Sequence, residues 1–282
     1  MEGEIVSSQE EKQKGKKFGS DALLLSGAVL LTGLIIAGSV ILGTEKLSKV
    51  LANLSISAPK ADIGTQQQQP DEPTVTMDQI QGLFNGKNIT FGKKNAKVVF
   101  VEFSDPSCPY CNIAAGQNPN LNKSAGPQFT MVKDGGKYVA PVPEMKKLVD
   151  AGKASFVWVY ANGHGNGEMG TKALYCGFEK KKFWEVHDLL MSEAGYNLMN
   201  NDVKNDKSKA GVIAEFLKSA VKPGDMQSCL ESGKYDGRIA EDSAIATTFG
   251  MSGTPKFFVN TENFKGAYSF TDMQSVVDKY LK

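Results

Sequence analysis

The alternation of apolar and polar positions divides this chain into three stretches. Residues 1–21 mix charge with polarity, carry no apolar period and predict a short disordered tail. From Ala22 to Leu42 the sequence ALLLSGAVLLTGLIIAGSVIL holds no formal charge. A run of about 20 apolar residues rising about 1.5 Å each crosses a hydrocarbon core of roughly 30 Å, so residues 22–43 predict a transmembrane anchor. A soluble core helix would show a polar face somewhere along such a length. A cleaved signal peptide is the alternative, with small Ala37, Gly38 and Ser39 at hand, although such apolar regions usually run about 7–15 residues. Residues 44–75 read as a linker with a span of roughly 30 Å: TEKLSKVLANL can continue as a brief amphipathic helix, and 55–74, with TQQQQPDEP, hold too little apolar content to fold.

Beyond that linker, strand and helix periods alternate. KVVFVEF (97–103), SFVWVYA (155–161) and KFFVN (256–260) are β-branched and aromatic runs of strand length. Helical spacing marks 168–178, 182–192 with Phe183, Val186 and Leu190 on one face, 210–221 and 235–249. It returns at 271–281, where Ser269 or Thr271 can cap Met273, Val276, Val277 and Tyr280. FTMVKDGGKYVA predicts a hairpin turning at Asp134-Gly135-Gly136 between the first two strands. Residues 76–282 therefore form one α/β domain, with a helical insertion at about 162–250.

Charge refines this picture. Lys+Arg 32 against Asp+Glu 31 excludes a polybasic nucleic-acid binder, and the composition is neither collagenous nor disordered. Lys12, Lys14, Lys16 and Lys17 precede the apolar run while Lys46, Lys49 and Lys60 follow it. That modest bias sets the N-terminus in the cytoplasm and the folded domain outside it, where paired cysteines persist.

Four cysteines matter in that setting: Cys108, Cys111, Cys176 and Cys229. A strand that ends in C-x-x-C and opens a helix puts the first cysteine where backbone N–H groups and the helix dipole stabilise a thiolate. Pro109 suits the first helical position, and Cys111, one turn further in, would resolve mixed disulfides formed at Cys108. Zinc sites use the same spacing but bring a second pair, whereas Cys176 and Cys229 stand alone, so no metal site is expected.

The stretch V-V-F-V-E-F-S-D-P-S-C-P-Y-C, followed far downstream by S-G-T-P-K-F-F-V-N, resembles thioredoxin-fold enzymes, specifically DsbA-like thiol:disulfide oxidoreductases with a helical insertion. The likeness covers roughly residues 88–282. It implies a thioredoxin-like α/β fold and a redox pair Cys108–Cys111 with the dipeptide Pro109-Tyr110 between. It also implies a cis Thr254-Pro255 element facing the substrate. Glu102, six residues before Cys108, matches the spacing of the family's buried acid; alternation along the strand equally allows an outward-facing acid. The resemblance further implies a bridge between Cys176 and Cys229, with two buried free thiols as the alternative.

The implied activity is disulfide formation in thiol-containing exported proteins, outside the cytoplasm of a bacterial cell, with a quinone-linked membrane partner for reoxidation and no prosthetic group. A reductase or isomerase of the same fold stays open, as does a non-catalytic thioredoxin-fold binding module with a static disulfide or metal site. The Pro-Tyr dipeptide departs from the Pro-His of the strongest oxidants, and the segment at about 118–150 is longer than usual. Gly165, Gly167 and Gly170 fit G-x-G-x-x-G, but Glu185 and Asp188 fall in a helical pattern rather than at a strand tip, so a flexible loop is expected instead of a dinucleotide site. His164 within it is expected to be solvated and His187 to be a packed or surface helix residue.

Overall fold

The run VVFVEFS forms strand β2 (Val98–Ser104), buried along its whole length. It can be this continuously apolar because the sheet is covered on both faces, which removes the need for alternation. The computed structural model describes residues 73–282; the tail, the anchor and nearly all of the linker expected from the sequence lie outside the described residues. Among the described residues no helix is long and apolar enough to cross a membrane.

The other strands are β1 (Ile89–Phe91), β3 (Ala154–Tyr160), β4 (Lys256–Val259) and β5 (Glu262–Lys265), in the order β1-β3-β2-β4-β5. β2 runs parallel to β3, pairing Glu102 with Trp158 and Ser104 with Tyr160. It runs antiparallel to β4, where Glu102 faces Phe257. Val99, Val101 and Phe103 point to one face, against Val157, Val159, Phe258, Phe249, Ile80 and Leu83. Val98 and Phe100 point to the other, joining Phe156, Trp158, Phe257 and most of the helical residues in the larger core. Glu102 and Ser104 alternate onto this second face.

Helix α1 (Met77–Gly82) opens with a capping box in which Thr76 and Gln79 satisfy each other's backbone N–H groups. α2 (Pro109–Ala115) and α3 (Pro119–Ser124) follow β2, and α4 (Pro141–Asp150) leads into β3. The insertion between β3 and β4 comprises α5 (Glu168–Glu179), α6 (Phe183–Leu190), α7 (Glu193–Asn197), α8 (Ala210–Phe216), α9 (Pro223–Glu231) and α10 (Asp236–Thr248). α11 (Phe270–Leu281) closes the chain from a Ser269–Asp272 capping box, with Met273 and Val277 buried.

The segment expected to be a hairpin takes another shape. Tyr138 bridges Met131 alone, and Val132–Asp134 winds into a single 3-10 turn. A Cβ on Gly136 would lie 1.9 Å from the Thr130 carbonyl oxygen, so the chain folds back too tightly for a regular ladder. β1, β5 and α4 also went unread in the sequence. The first two are short edge strands, and α4 begins with a Pro-Val-Pro triplet that hides its period.

Candidate active site

β2 ends in a turn, Asp105-Pro106-Ser107, closed by a 2.9 Å hydrogen bond from the Cys108 N–H to the Asp105 carbonyl. Cys108 becomes the N-cap of α2 with Pro109 in the first turn, so the proline's missing N–H leaves nothing unpaired. The helix is short and ends at Gly116 in a left-handed conformation.

The two cysteines are free thiols with different surroundings. Cys108 is 3% exposed and its Sγ donates to the Thr254 carbonyl at 3.5 Å. Its pKa is pulled down to about 6, first by the hydrogen bond from the Cys111 thiol; burial opposes this, while the Thr254 hydroxyl and the N–H groups of Cys111 and Tyr110 add to it. Cys111 is fully buried, and that burial pushes its thiol well above the ordinary value, with the sulfur of Cys108 reinforcing the shift. Its Sγ accepts the Asp105 N–H at 3.4 Å.

Glu102 faces inward, 0% exposed, with neither carboxylate oxygen hydrogen-bonded. Burial raises its pKa, against smaller lowering effects from His187 and the Ser104 hydroxyl. The Thr254–Pro255 bond is cis, with Pro255 buried where the chain enters β4. Cys108, Cys111, Glu102, Thr254 and Pro255 thus converge at one end of the central strands. Cys176 and Cys229 do not join them: they form a disulfide between α5 and α9, Cα atoms 6.1 Å apart.

The loop 163–167, which runs into the G-x-G-x-x-G motif, forms a wall of this site. Asp105 Oδ2 accepts the Gly163 and His164 N–H groups, each at 2.9 Å, while its Oδ1 accepts the Ser107 N–H and hydroxyl, each at 2.7 Å. A Cβ on Gly163 would fall 1.7 Å from Thr254 Oγ1 and 3.3 Å from Cys108 Cβ, and one on Gly167 would fall 1.8 Å from Asp105 Oδ1. Only glycine permits that approach. Ser107 Oγ accepts the Asn166 N–H at 3.2 Å, and Asn200 Nδ2 donates to the Ser107 carbonyl at 3.0 Å. The sequence reading passed over Asp105 and Ser107, although Asp-x-Ser ahead of a helix is the pattern of an Asx turn. His164 is exposed; His187 is buried on α6.

Outside the sulfur pair, Tyr110 is 48% exposed and meets Phe129 edge-on at 5.8 Å; Phe129 in turn meets Tyr138 at 5.7 Å. With Thr254, Lys265, Gly266, Ala267 and Tyr268 the first two line an open cavity of about 320 Å³. Among the described residues no three His, Cys, Asp or Glu side chains are grouped to hold a metal ion.

The Thioredoxin family pattern matches residues 85–124 and 142–279. The chain belongs to the thioredoxin family. The stretch between the two matched segments, 125–141, is the one that carries Phe129 and the Met131–Tyr138 bridge. The chain is 21% identical over 197 residues, 68% of its length, to disulfide bond formation protein D of Bacillus subtilis, of which the match covers 76%. It is 25% identical over 190 residues, 66% of its length, to the Na(+)/H(+) antiporter NhaA 3 of Salinispora tropica, of which it spans only 24%. Among solved structures, oxidised BdbD from Bacillus subtilis shares the thioredoxin-family fold at a TM-score of 0.52 and 20% identity, covering 70% of this chain and 94% of that one.

Proposed function

We propose that this chain is a thiol:disulfide oxidoreductase that donates disulfides to thiol-containing exported proteins. The observation that carries the reading is the contrast within one helical turn: a Cys108 thiol drawn down to about 6 at the mouth of the site, and a fully buried Cys111 thiol pushed up. In the oxidised protein a substrate thiolate attacks Cys108 Sγ, the Cys108–Cys111 bond breaks, and Cys111 leaves as a thiolate that must take up a proton. The substrate's second thiolate then attacks its own sulfur in the mixed disulfide and Cys108 departs, a good leaving group because its pKa is low. Glu102, whose pKa is raised by burial, is the acid that would serve Cys111.

Thr254-Pro255 and the shelf of Tyr110, Phe129 and Tyr268 supply the substrate-facing surface, with segment 125–141 contributing Phe129 to it. We place residues 22–43 as a single-pass anchor, 44–75 as its linker, and 76–282 outside the cytoplasm of a bacterial cell. The Lys bias around the apolar run and the Cys176–Cys229 bridge support that placement. Reoxidation calls for a quinone-linked membrane partner, and no prosthetic group is needed.

The test is a redox titration of the detergent-solubilised chain in glutathione buffers, with alkylated cysteines located by peptide mass. Cys108 and Cys111 titrating together at about −120 to −180 mV mark a disulfide donor or isomerase. A potential near about −270 mV makes the protein a reductase, and a pair that does not titrate removes the enzymatic reading in favour of a binding module.

A further inference from the structure

Cys111 gains and loses a proton in every exchange, yet it is wholly enclosed, and the interior below it holds an unusual concentration of polar atoms without partners. Both Glu102 carboxylate oxygens, Ser104 Oγ, Trp158 Nε1 and His187 Nε2 are buried, and none has a partner at full hydrogen-bonding distance and angle. Native interiors rarely leave such groups unsatisfied, and a polar cluster of this kind takes up water. The members are neighbours. Ser104 shares the sheet face of Glu102 one alternation along β2 and interacts with both Glu102 and Cys111. Trp158 is the cross-strand partner of Glu102, and His187 lies near enough to act on the Glu102 charge.

His187 spans the boundary of this interior. Its ring is 1% exposed, and Nδ1 sits 3.0 Å from Oδ1 of Asp188, a residue whose side chain is 46% exposed. Asp188 lines a cavity of about 230 Å³ that opens between α4 and α6. Phe183 and Trp184 pack on the imidazole at 5.7 and 5.6 Å, closing it off sideways with apolar rings. The charged groups around it are Asp188 on its own helix, Glu102 below, and Lys146, Lys147 and Asp150 of α4 across the cavity.

We propose that Ser104, Glu102 and His187, joined by internal water, form a proton path from Cys111 to the protein surface at Asp188. The inference rests on the oxidoreductase reading. When substrate thiolate attacks Cys108 Sγ, the electron pair of the broken S–S bond goes to Cys111 Sγ. That thiolate takes the proton of the Glu102 carboxyl group, and the Glu102 carboxylate is reprotonated through His187 from solvent beside Asp188. Reoxidation runs the same path outward. His187 acts through Glu102, so it is a positioning residue for the proton rather than a catalytic one.

The test is stopped-flow reduction of the oxidised full-length protein by dithiothreitol, followed by tryptophan fluorescence from pH 5.5 to 8 in H2O and in D2O. His187→Phe is expected to slow reduction about tenfold and to alter the pH profile. Glu102→Gln is expected to do the same, and the double variant to be no slower than Glu102→Gln alone, as for two groups on one path. The alkylation midpoint of Cys108 should stay unchanged in each. His187→Gln and Asp188→Asn serve if the phenylalanine variant does not fold, with the same signs. Reduction at the unsubstituted rate, multiplying effects in the double variant, or a shifted Cys108 midpoint each overturn the path while leaving the enzyme reading intact. An unsubstituted pair that dithiothreitol reduces without reaction at Cys108 overturns both.

Discussion

The two cysteine pairs of this molecule share a chemistry and differ in almost everything around it. Cys176 and Cys229 are 53 positions apart, join two helices of the insertion, and sit within and against the larger apolar core. Cys108 and Cys111 are one helical turn apart, cluster only with Ala115 and Met191, and face Thr254 across the end of the sheet. The first pair is joined in a disulfide. The second pair has backbone N–H groups and the Thr254 hydroxyl for one sulfur and complete burial for the other. Reactivity is therefore a property of where the chain puts a sulfur, and under the proposed function the same bond would be a clasp in one place and a reagent in the other.

The sharpest break of that contrast is Cys108→Ala, which should abolish thiol exchange with peptide substrates, while Cys111→Ser should accumulate a mixed disulfide at Cys108 visible by mass. Iodoacetamide should alkylate Cys108 of the reduced protein with a midpoint near pH 6 and leave Cys111 unreacted until the protein unfolds. The sign of the linked stability follows. A thiol lowered from 9.0 to about 6 adds nothing below pH 6, and its contribution to the reduced state grows through the interval up to about pH 9, where it is complete. Chemical denaturation of reduced and oxidised protein should therefore show the reduced form gaining ground as pH rises across that interval. No such gain means that the fold does not stabilise the Cys108 thiolate.

Gly163→Ala probes the wall beside Cys108. Its Cβ must displace Thr254, so exchange should fall about tenfold, as small misplacements at reacting centres do, and the Cys108 alkylation midpoint should rise because the Thr254 hydroxyl helps to lower it. Replacing Cys176 and Cys229 together by Ala should leave the exchange rate at 25 °C nearly unchanged and cost about 2–4 kcal/mol of stability, measured by urea unfolding. If the double replacement instead changes the redox potential of the other pair, the two are not independent.

Much of this was legible in the sequence, for physical reasons that vary by element. β2 and β3 announce themselves because a central strand buried on both faces must be continuously apolar, and the C-x-x-C after β2 follows from that placement. α6 and α11 show their buried faces at helical spacing. Glu102 lay in an ambiguous position because alternation fixes only which residues share a face, and which face is enclosed depends on helices that arrive far later in the chain. Asp105 escaped notice for the same reason: its partners, Gly163 and His164, are 58 and 59 residues away. The glycine motif has mixed causes: Gly167 answers to the close approach of Asp105 and Gly170 to that of Pro106 and Met199, while Gly165 takes a positive φ with nothing near it, and Gly163, just before the motif, answers to Thr254.

The insertion between β3 and β4 has a consequence for how such proteins can diversify. It enters after Tyr160 and returns at Lys256, with its own covalent clasp lying entirely within it. Such a segment can be exchanged as a cassette, by recombination or by design, without unthreading the sheet, provided that its replacement refills the core it shares with the strands. Because it also carries Gly163 and His187, each exchange would retune the sulfur chemistry of a scaffold whose own cysteines had not changed.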